Sequence, residues 1–178
     1  MKKAALSLFV TAFLALVAAA PAASAQQAAH KTPGPAEQLL RVWNGTGKEI
    51  IAMAEDWPAD KYNYRPNPQV RTFGEVLNHL ASSNYYAINA EEGKSLKGIE
   101  NDPKEYKTKE QIVAFVKKSF ADGAAALKAG GDAGALAHLE DWAGIIGHCG
   151  EHEGNLVTYY RNNGVVPPQS RPRPKKQS

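Results

Sequence analysis

Apolar residues recur at three- and four-residue spacing in four separate segments of the chain, which is the period of an amphipathic α-helix. The segments cover residues 35–54, 72–90, 108–127 and 141–163. No stretch between them alternates with the two-residue period of a β-strand. The pattern therefore predicts an all-α domain with four helices.

Two of the predicted helices begin with a capping box. Thr72 with Glu75, and Thr108 with Gln111, have the spacing at which each side chain satisfies a backbone N–H of the other residue. Capping boxes mark the first turn of a helix, so the second and third helices are expected to begin at these threonines.

Two long linkers separate the predicted helices. Residues 55–71 and 91–107 each span 17 positions. A linker of this length can run along a helical bundle, so helices two and three can point in the same direction. The sequence therefore predicts a four-helix bundle with a long crossover between helices 2 and 3.

The first residues have the composition of an export signal. Lys2 and Lys3 precede an apolar run over 4–20, and Ala23-Ser24-Ala25 has the small-x-small pattern that signal peptidase cleaves. An uncleaved membrane anchor is the alternative, but the apolar run is interrupted by polar residues and ends at Pro21. We expect cleavage after Ala25 and a periplasmic or secreted protein with no stable membrane anchor.

This interpretation divides the chain into four parts. They are a signal peptide (1–25), a flexible segment (26–34), a helical domain (35–170) and a disordered basic tail (171–178). Removal of 25 of the 178 residues leaves 153, which is enough for one domain with its own core. Cys149 is the only cysteine, so the chain has no intrachain disulfide.

The net charge of +3 arises at the two ends of the chain. Between residues 26 and 170 there are 15 basic and 18 acidic residues, a net charge of −3. Nucleic-acid-binding domains present a basic surface, so this weakly acidic body argues against nucleic acid as a partner. A small molecule is the expected substrate or ligand, and a homodimer is compatible with the sequence.

Three histidines form a candidate metal site. His148 and His152 are four residues apart, so on a helix their side chains lie on one face, roughly 5–6 Å apart at Cβ. His79 on the second helix supplies a third imidazole and leaves a coordination position open, as catalytic metal sites do. Hydrogen-bonded imidazoles at the edge of the core are the alternative. His30 and His138 have no partner at ligand spacing in the sequence.

Other polar residues near these histidines have competing interpretations. Glu75 could orient His79 or act as a base, although its simpler role is in the capping box. Glu151, Asn78 and Asn155 could line a pocket or face solvent. Cys149 is rotated about 100° from His148 around the helix axis, so it should pack in the core. Four tyrosines are expected in the core and the pocket wall: Tyr85, Tyr86, Tyr159 and Tyr160.

Three motifs together resemble the DinB-like (YfiT-like) superfamily of four-helix metal-dependent proteins, most closely its small DinB domains. They are Tyr62-Asn63-Tyr64-Arg65-Pro66 leading into Arg71-Thr72-Phe73-Gly74-Glu75-Val76-Leu77-Asn78-His79-Leu80, His148-x-x-x-His152 followed by Gly154-Asn155-Leu156, and Tyr159-Tyr160-Arg161 through Pro167-Pro168. The resemblance covers roughly residues 36–170.

The resemblance implies that His79, His148 and His152 hold a divalent metal ion, with zinc or nickel expected, and it implies the same crossover. Some relatives are thiol-dependent transferases or isomerases. We therefore expect an exported metal-dependent hydrolase or group transferase acting on a small molecule. The alternative is a non-catalytic exported protein that binds a metal or small ligand. The sequence assigns no catalytic residue and indicates no organic cofactor.

Overall fold

The computed structural model describes residues 32–172, which contain four α-helices and no strand. The helices are α1 (Pro35–Asp56), α2 (Phe73–Glu91), α3 (Lys109–Ala137) and α4 (Leu139–Asn162). The predicted all-α class is confirmed. Within the described part, no helix combines the length and apolar character needed to span a bilayer. The predicted signal peptide, His30 and the end of the basic tail lie outside the described residues.

Contacts between pairs of helices show whether they run parallel or antiparallel. Gly74 of α2 lies beside Ile112 of α3, and Glu91 at the end of α2 lies beside Gly130, so these two helices run parallel. Trp43 in the first half of α1 lies beside Gly123 of α3, whereas the carbonyl of Glu55 at the end of α1 accepts from Lys109 at the start of α3, so that pair is antiparallel. The predicted crossover between helices 2 and 3 is therefore confirmed, because two adjacent parallel helices need a connection that returns along the bundle.

The core is built around tryptophans contributed by both ends of the bundle. Trp43 contacts Trp142 edge-on with ring centroids 5.4 Å apart, and its indole N–H donates to the carbonyl of Phe120 at 2.8 Å. At the opposite end, Trp57 stacks on Phe73 at 4.6 Å. Because these side chains are fully buried, each supplies on the order of 150–250 Å² of contact surface.

Both predicted capping boxes are present. Thr72 caps α2 through the backbone N–H of Glu75, and the Glu75 carboxylate accepts from the backbone N–H of Thr72. Thr108 and Gln111 make the same reciprocal pair at α3. The observed helix ends lie within two residues of the predicted ones, except at the end of α3.

The prediction was wrong for the end of the third helix, which we expected at residue 127. Helical structure continues to Ala137 with a break at Gly131, where φ is +60° and ψ is −162°. A side chain at this φ would be strained, so glycine allows the break. Gly130 and Gly134 lie directly against the Glu91 carboxylate and leave no room there for a Cβ. Alanine-rich sequence favours helix on both sides of the break.

The crossover segment, defined here as residues 92–108, is fixed along α2 by side chains of that helix. The Asn78 amide donates to the carbonyl of Tyr106 at 2.9 Å, and the Ser82 hydroxyl donates to the carbonyl of Glu100. Arg71, immediately before α2, forms an ion pair with Asp102. These contacts place Asn101 and Asp102 next to His79.

Candidate metal centre

The packing of α2 against α4 brings the three predicted histidines together. His79 comes from α2, and His148 and His152 come from successive turns of α4. His152 is 7% exposed, and the other two rings are partly buried. In the described part of the chain, these are the residues whose ligand atoms cluster at metal-site distances, all within 4.8 Å of one another.

The Nε2 atom of His148 lies between those of the other two histidines. His148 Nε2 lies 3.1 Å from His79 Nε2 and 3.1 Å from His152 Nε2. Nitrogen ligands at about 2.0–2.1 Å from a tetrahedral or octahedral ion are separated from one another by roughly 3 Å. These two separations therefore fit imidazoles that share one divalent ion, and the ligand atoms of the third pair lie within 4.8 Å of each other.

The orientation of His79 is set by the crossover segment. Its Nδ1 lies 2.8 Å from the backbone carbonyl of Asn101, which can only accept a hydrogen bond. The proton of neutral His79 is therefore on Nδ1, and Nε2 directs a lone pair into the cluster. A backbone carbonyl that fixes the tautomer in this way is typical of metal-binding histidines.

The Nδ1 atom of His152 has a side-chain partner, whereas the Nδ1 atom of His148 has none among the described residues. The Asn155 amide lies 3.2 Å from His152 Nδ1, and rotating that amide by 180° presents its oxygen, which would hold a proton on Nδ1 and leave Nε2 free. His148 Nδ1 is buried with no hydrogen-bond partner among the described residues. His148 Nε2 faces two imidazole nitrogens but carries at most one proton, so hydrogen bonding between the rings cannot satisfy the cluster.

The surroundings favour the neutral, ligating form of the α4 histidines. Burial lowers the pKa of His152 to about 4, and the charges of the two neighbouring histidines act in the same direction. Burial also lowers the pKa of His148, with a further contribution from the charge of His79. Because only neutral imidazole coordinates a metal, protons compete less at these two positions than at free histidine.

The structure decides between the interpretations of Glu75 and Cys149. The Glu75 carboxylate accepts from the backbone N–H of Thr72 at 2.8 Å and lies 3.4 Å from Arg65, so it serves the capping box. The Cys149 thiol is fully buried, donates to the amide oxygen of Asn84 at 3.2 Å, and lies outside the histidine cluster. Burial raises the pKa of this thiol to about 12, which suppresses thiolate chemistry.

The remaining predicted residues separate into two groups. Asn155 and Glu151 line a cleft beside His152, whereas Asn78 is buried and bonded to the crossover segment. His138 lies between α3 and α4, with its Nδ1 3.2 Å from Asp141. The tyrosines that serve the core are anchored by their hydroxyl groups, as in the bond from Tyr160 to the carbonyl of Met53 at 2.9 Å.

The sequence did not indicate that Arg71, Asn101 and Asp102 lie beside the histidines. Arg71 Nε donates to Asp102 Oδ1 at 2.7 Å, and Nη2 donates to Oδ2 at 3.2 Å. The same carboxylate oxygen, Oδ1, lies 3.7 Å from His79 Nδ1. The hydrogen bonds from Arg71 lower the pKa of Asp102, so this carboxylate is ionised. Both residues lie in linkers, where periodicity gives no signal.

Two clefts meet the histidine cluster. One has a volume of about 350 Å³ and is lined by His79, His148 and Tyr86. The other has a volume of about 600 Å³ and is lined by Arg71, His152 and Asn155. A small molecule could therefore approach the cluster from either side.

Comparison with known proteins gives one family. The family model described as the DinB superfamily matches residues 43–155, a range that includes all three histidines of the cluster. No curated protein matches the chain.

Proposed function

Because the chain belongs to the DinB superfamily, we propose that it binds one divalent metal ion through His79, His148 and His152. The observation that carries this proposal is the close approach of the three imidazoles, in which His148 Nε2 lies 3.1 Å from the Nε2 atom of each of the other two. Zinc and nickel are the ions we expect, because both accept imidazole nitrogen as a ligand.

We further propose that the protein is a metal-dependent hydrolase or group transferase acting on a small molecule. The ion would supply Lewis-acid chemistry that polarises the bond to be broken. The protein's part is to hold the imidazoles neutral and oriented, through burial of His152 and the Asn101 carbonyl on His79. Glu151 lines the same cleft as His152 and is a carboxylate available to accept a proton there.

The second candidate function is a non-catalytic protein that binds a metal or small ligand. It is favoured by the engagement of two carboxylates near the cluster, since Asp102 pairs with Arg71 and Glu75 serves the capping box. Under either function, the signal-peptide pattern ending at Ala25 supports export to the periplasm or the medium.

Metal analysis of protein purified without a histidine tag tests the metal site. We expect one equivalent of divalent ion in the wild type and less than about a tenth of that in His148→Ala with His152→Ala, since each protein ligand removed greatly lowers affinity. His138→Ala is the matched control, because His138 lies outside the cluster. Stoichiometric metal in the folded double variant would contradict the proposal.

A second measurement separates the two functions. The wild type loaded with zinc or nickel is assayed for hydrolysis of small esters and amides and for group transfer to small thiols, with the Glu151→Gln variant alongside. Turnover that disappears on chelation and falls in Glu151→Gln supports the enzyme, because a proton acceptor within reach contributes about 10²–10⁴-fold. Ligand binding without turnover supports the binding protein.

A further inference from the structure

The larger of the two clefts beside the histidines contains one basic side chain. Arg71 and His152 both line this cleft, which we call the Arg71 cleft, together with the neutral polar side chains of Gln69 and Asn155. One carboxylate, Glu151, is exposed to solvent at its edge. Besides this exposed carboxylate, the cleft therefore offers the guanidinium of Arg71 and two neutral amides next to the cluster.

The charge of the site is unbalanced once a divalent ion is bound. Three neutral imidazoles contribute no negative charge, so both charges of the ion would remain uncompensated by its protein ligands. The single negative charge of Asp102, which lies 3.7 Å from His79 Nδ1, is shared with Arg71 and leaves most of the charge of the ion unbalanced. Arg71 lies close to the cluster, because it lines the same cleft as His152 and its partner Asp102 lies 3.7 Å from His79 Nδ1. An anionic ligand would complete the site electrostatically.

Arg71 keeps part of its guanidinium group available. Nε and Nη2 donate to Asp102, whereas Nη1 has no protein partner among residues 32–172. The ion pair with Asp102 also holds the guanidinium in place, which reduces the entropy lost when a ligand binds. A planar guanidinium matches a carboxylate group geometrically better than an ammonium does.

We propose that the Arg71 cleft binds small carboxylates, and that a dicarboxylate spans it with one carboxylate at the metal ion and the other at Arg71. This inference rests on the proposed metal site. Carboxylate is favoured over phosphate because the cleft offers one guanidinium, already paired with Asp102, and two neutral amides. These groups match a planar ligand that carries a single negative charge. Arg71 is thus a specificity-determining residue.

Titration of the cobalt(II)-loaded protein with small anions, followed by visible absorption, tests the inference without an activity assay. For the wild type we expect malonate to bind at least about tenfold more tightly than acetate, since the second carboxylate gains a charge-assisted interaction. Arg71→Gln should bring the two affinities within about threefold of each other while cobalt stoichiometry is unchanged. Arg65→Gln is the control, because Arg65 pairs with Glu75 and lies outside this cleft.

The outcomes separate this inference from the metal site itself. Failure of the wild type to bind cobalt would refute the metal site, whereas equal affinities for malonate and acetate on a cobalt-loaded protein would refute only the role of Arg71. Retention of the malonate preference in Arg71→Gln, or tighter binding of phosphate than of malonate, would also overturn the inference.

Arg71→Lys, which keeps the charge opposite Asp102, covers the case in which the glutamine variant does not fold. In this variant the preference for malonate over acetate should fall at least about threefold, because lysine lacks the planar pair of N–H donors of a guanidinium. An unchanged preference would contradict the proposal.

Discussion

Substitution of His152 by glutamine should remove a pH-dependent part of the stability of the metal-free protein. His152 is 7% exposed, and its pKa is lowered from an ordinary value of 6.5 to about 4, chiefly by burial. The unfolded chain therefore takes up a proton below pH 6.5 that the folded protein refuses until about pH 4. The contribution of His152 to the free energy of unfolding is complete above pH 6.5 and is lost as pH falls towards 4.

The size of this effect follows from the pKa shift. Each pKa unit corresponds to about 1.4 kcal/mol, so the lowering of the His152 pKa from 6.5 to about 4 corresponds to at most about 3.5 kcal/mol. For a domain of this length, 1 kcal/mol moves the melting temperature by about 2–4 °C. The wild type should therefore lose up to roughly 10 °C relative to His152→Gln between pH 7 and pH 4.

Glu153 acts in the opposite direction and must be controlled. Burial, helped by a hydrogen bond with Glu49, raises its pKa from 4.5 to about 7. The folded protein holds a proton on Glu153 that the unfolded chain releases between pH 4.5 and 7, so this term stabilises the fold as pH falls. The two terms offset each other in the wild type, and Glu153→Gln should expose the full acid sensitivity due to His152.

Urea unfolding of the metal-free wild type, His152→Gln and Glu153→Gln at intervals between pH 7 and pH 4 measures these terms. The quantity of interest is the difference in free energy of unfolding between the wild type and His152→Gln, since the contribution of Glu153 largely cancels in it. A difference that stays constant to within about 0.5 kcal/mol across this range would show that His152 protonates as freely as in water.

Three further predictions concern other residues. Cys149→Ala should lower the free energy of unfolding by about 1 kcal/mol or more, because it removes a buried group and leaves the amide oxygen of Asn84 unpaired. The metal stoichiometry should not change. Loss of metal from a folded variant would show that the thiol is a ligand. Thr72→Ala should lower the free energy of unfolding, measured by chemical denaturation, by about 1 kcal/mol because the capping box is lost. Thr72→Ser should retain most of the stability. Equal losses in the two variants would argue against the cap. Mass spectrometry of the exported protein should give a mature N-terminus at Gln26, and an intact residue 1–25 segment on membrane-bound protein would refute cleavage.

Described residues outside the predicted domain also take part in the fold. Arg171, which the sequence analysis assigned to the basic tail, donates to the two Asp56 carboxylate oxygens at 2.8 and 2.6 Å. These bonds lower the pKa of Asp56. Composition alone could not indicate this pair, because its two members are separated by 115 positions.

The sequence by itself determined the features that depend on residues within about two helical turns of one another. Helical periodicity, both capping boxes and the one-turn spacing of His148 and His152 are local, so they could be predicted from the chain. Linker length also indicated the crossover, because a parallel pair of helices needs a connection as long as the bundle. The family motifs placed His79 in the same site.

Only the tertiary structure decided what surrounds the three histidines. The carbonyl of Asn101 is a backbone group with no sequence signature, and it reaches His79 only because the crossover segment packs along α2. The Arg71–Asp102 pair joins two linkers in which no periodic pattern exists. The lowered pKa of His152 likewise arises from burial between α2 and α4, since desolvation depends on neighbours that are distant in sequence.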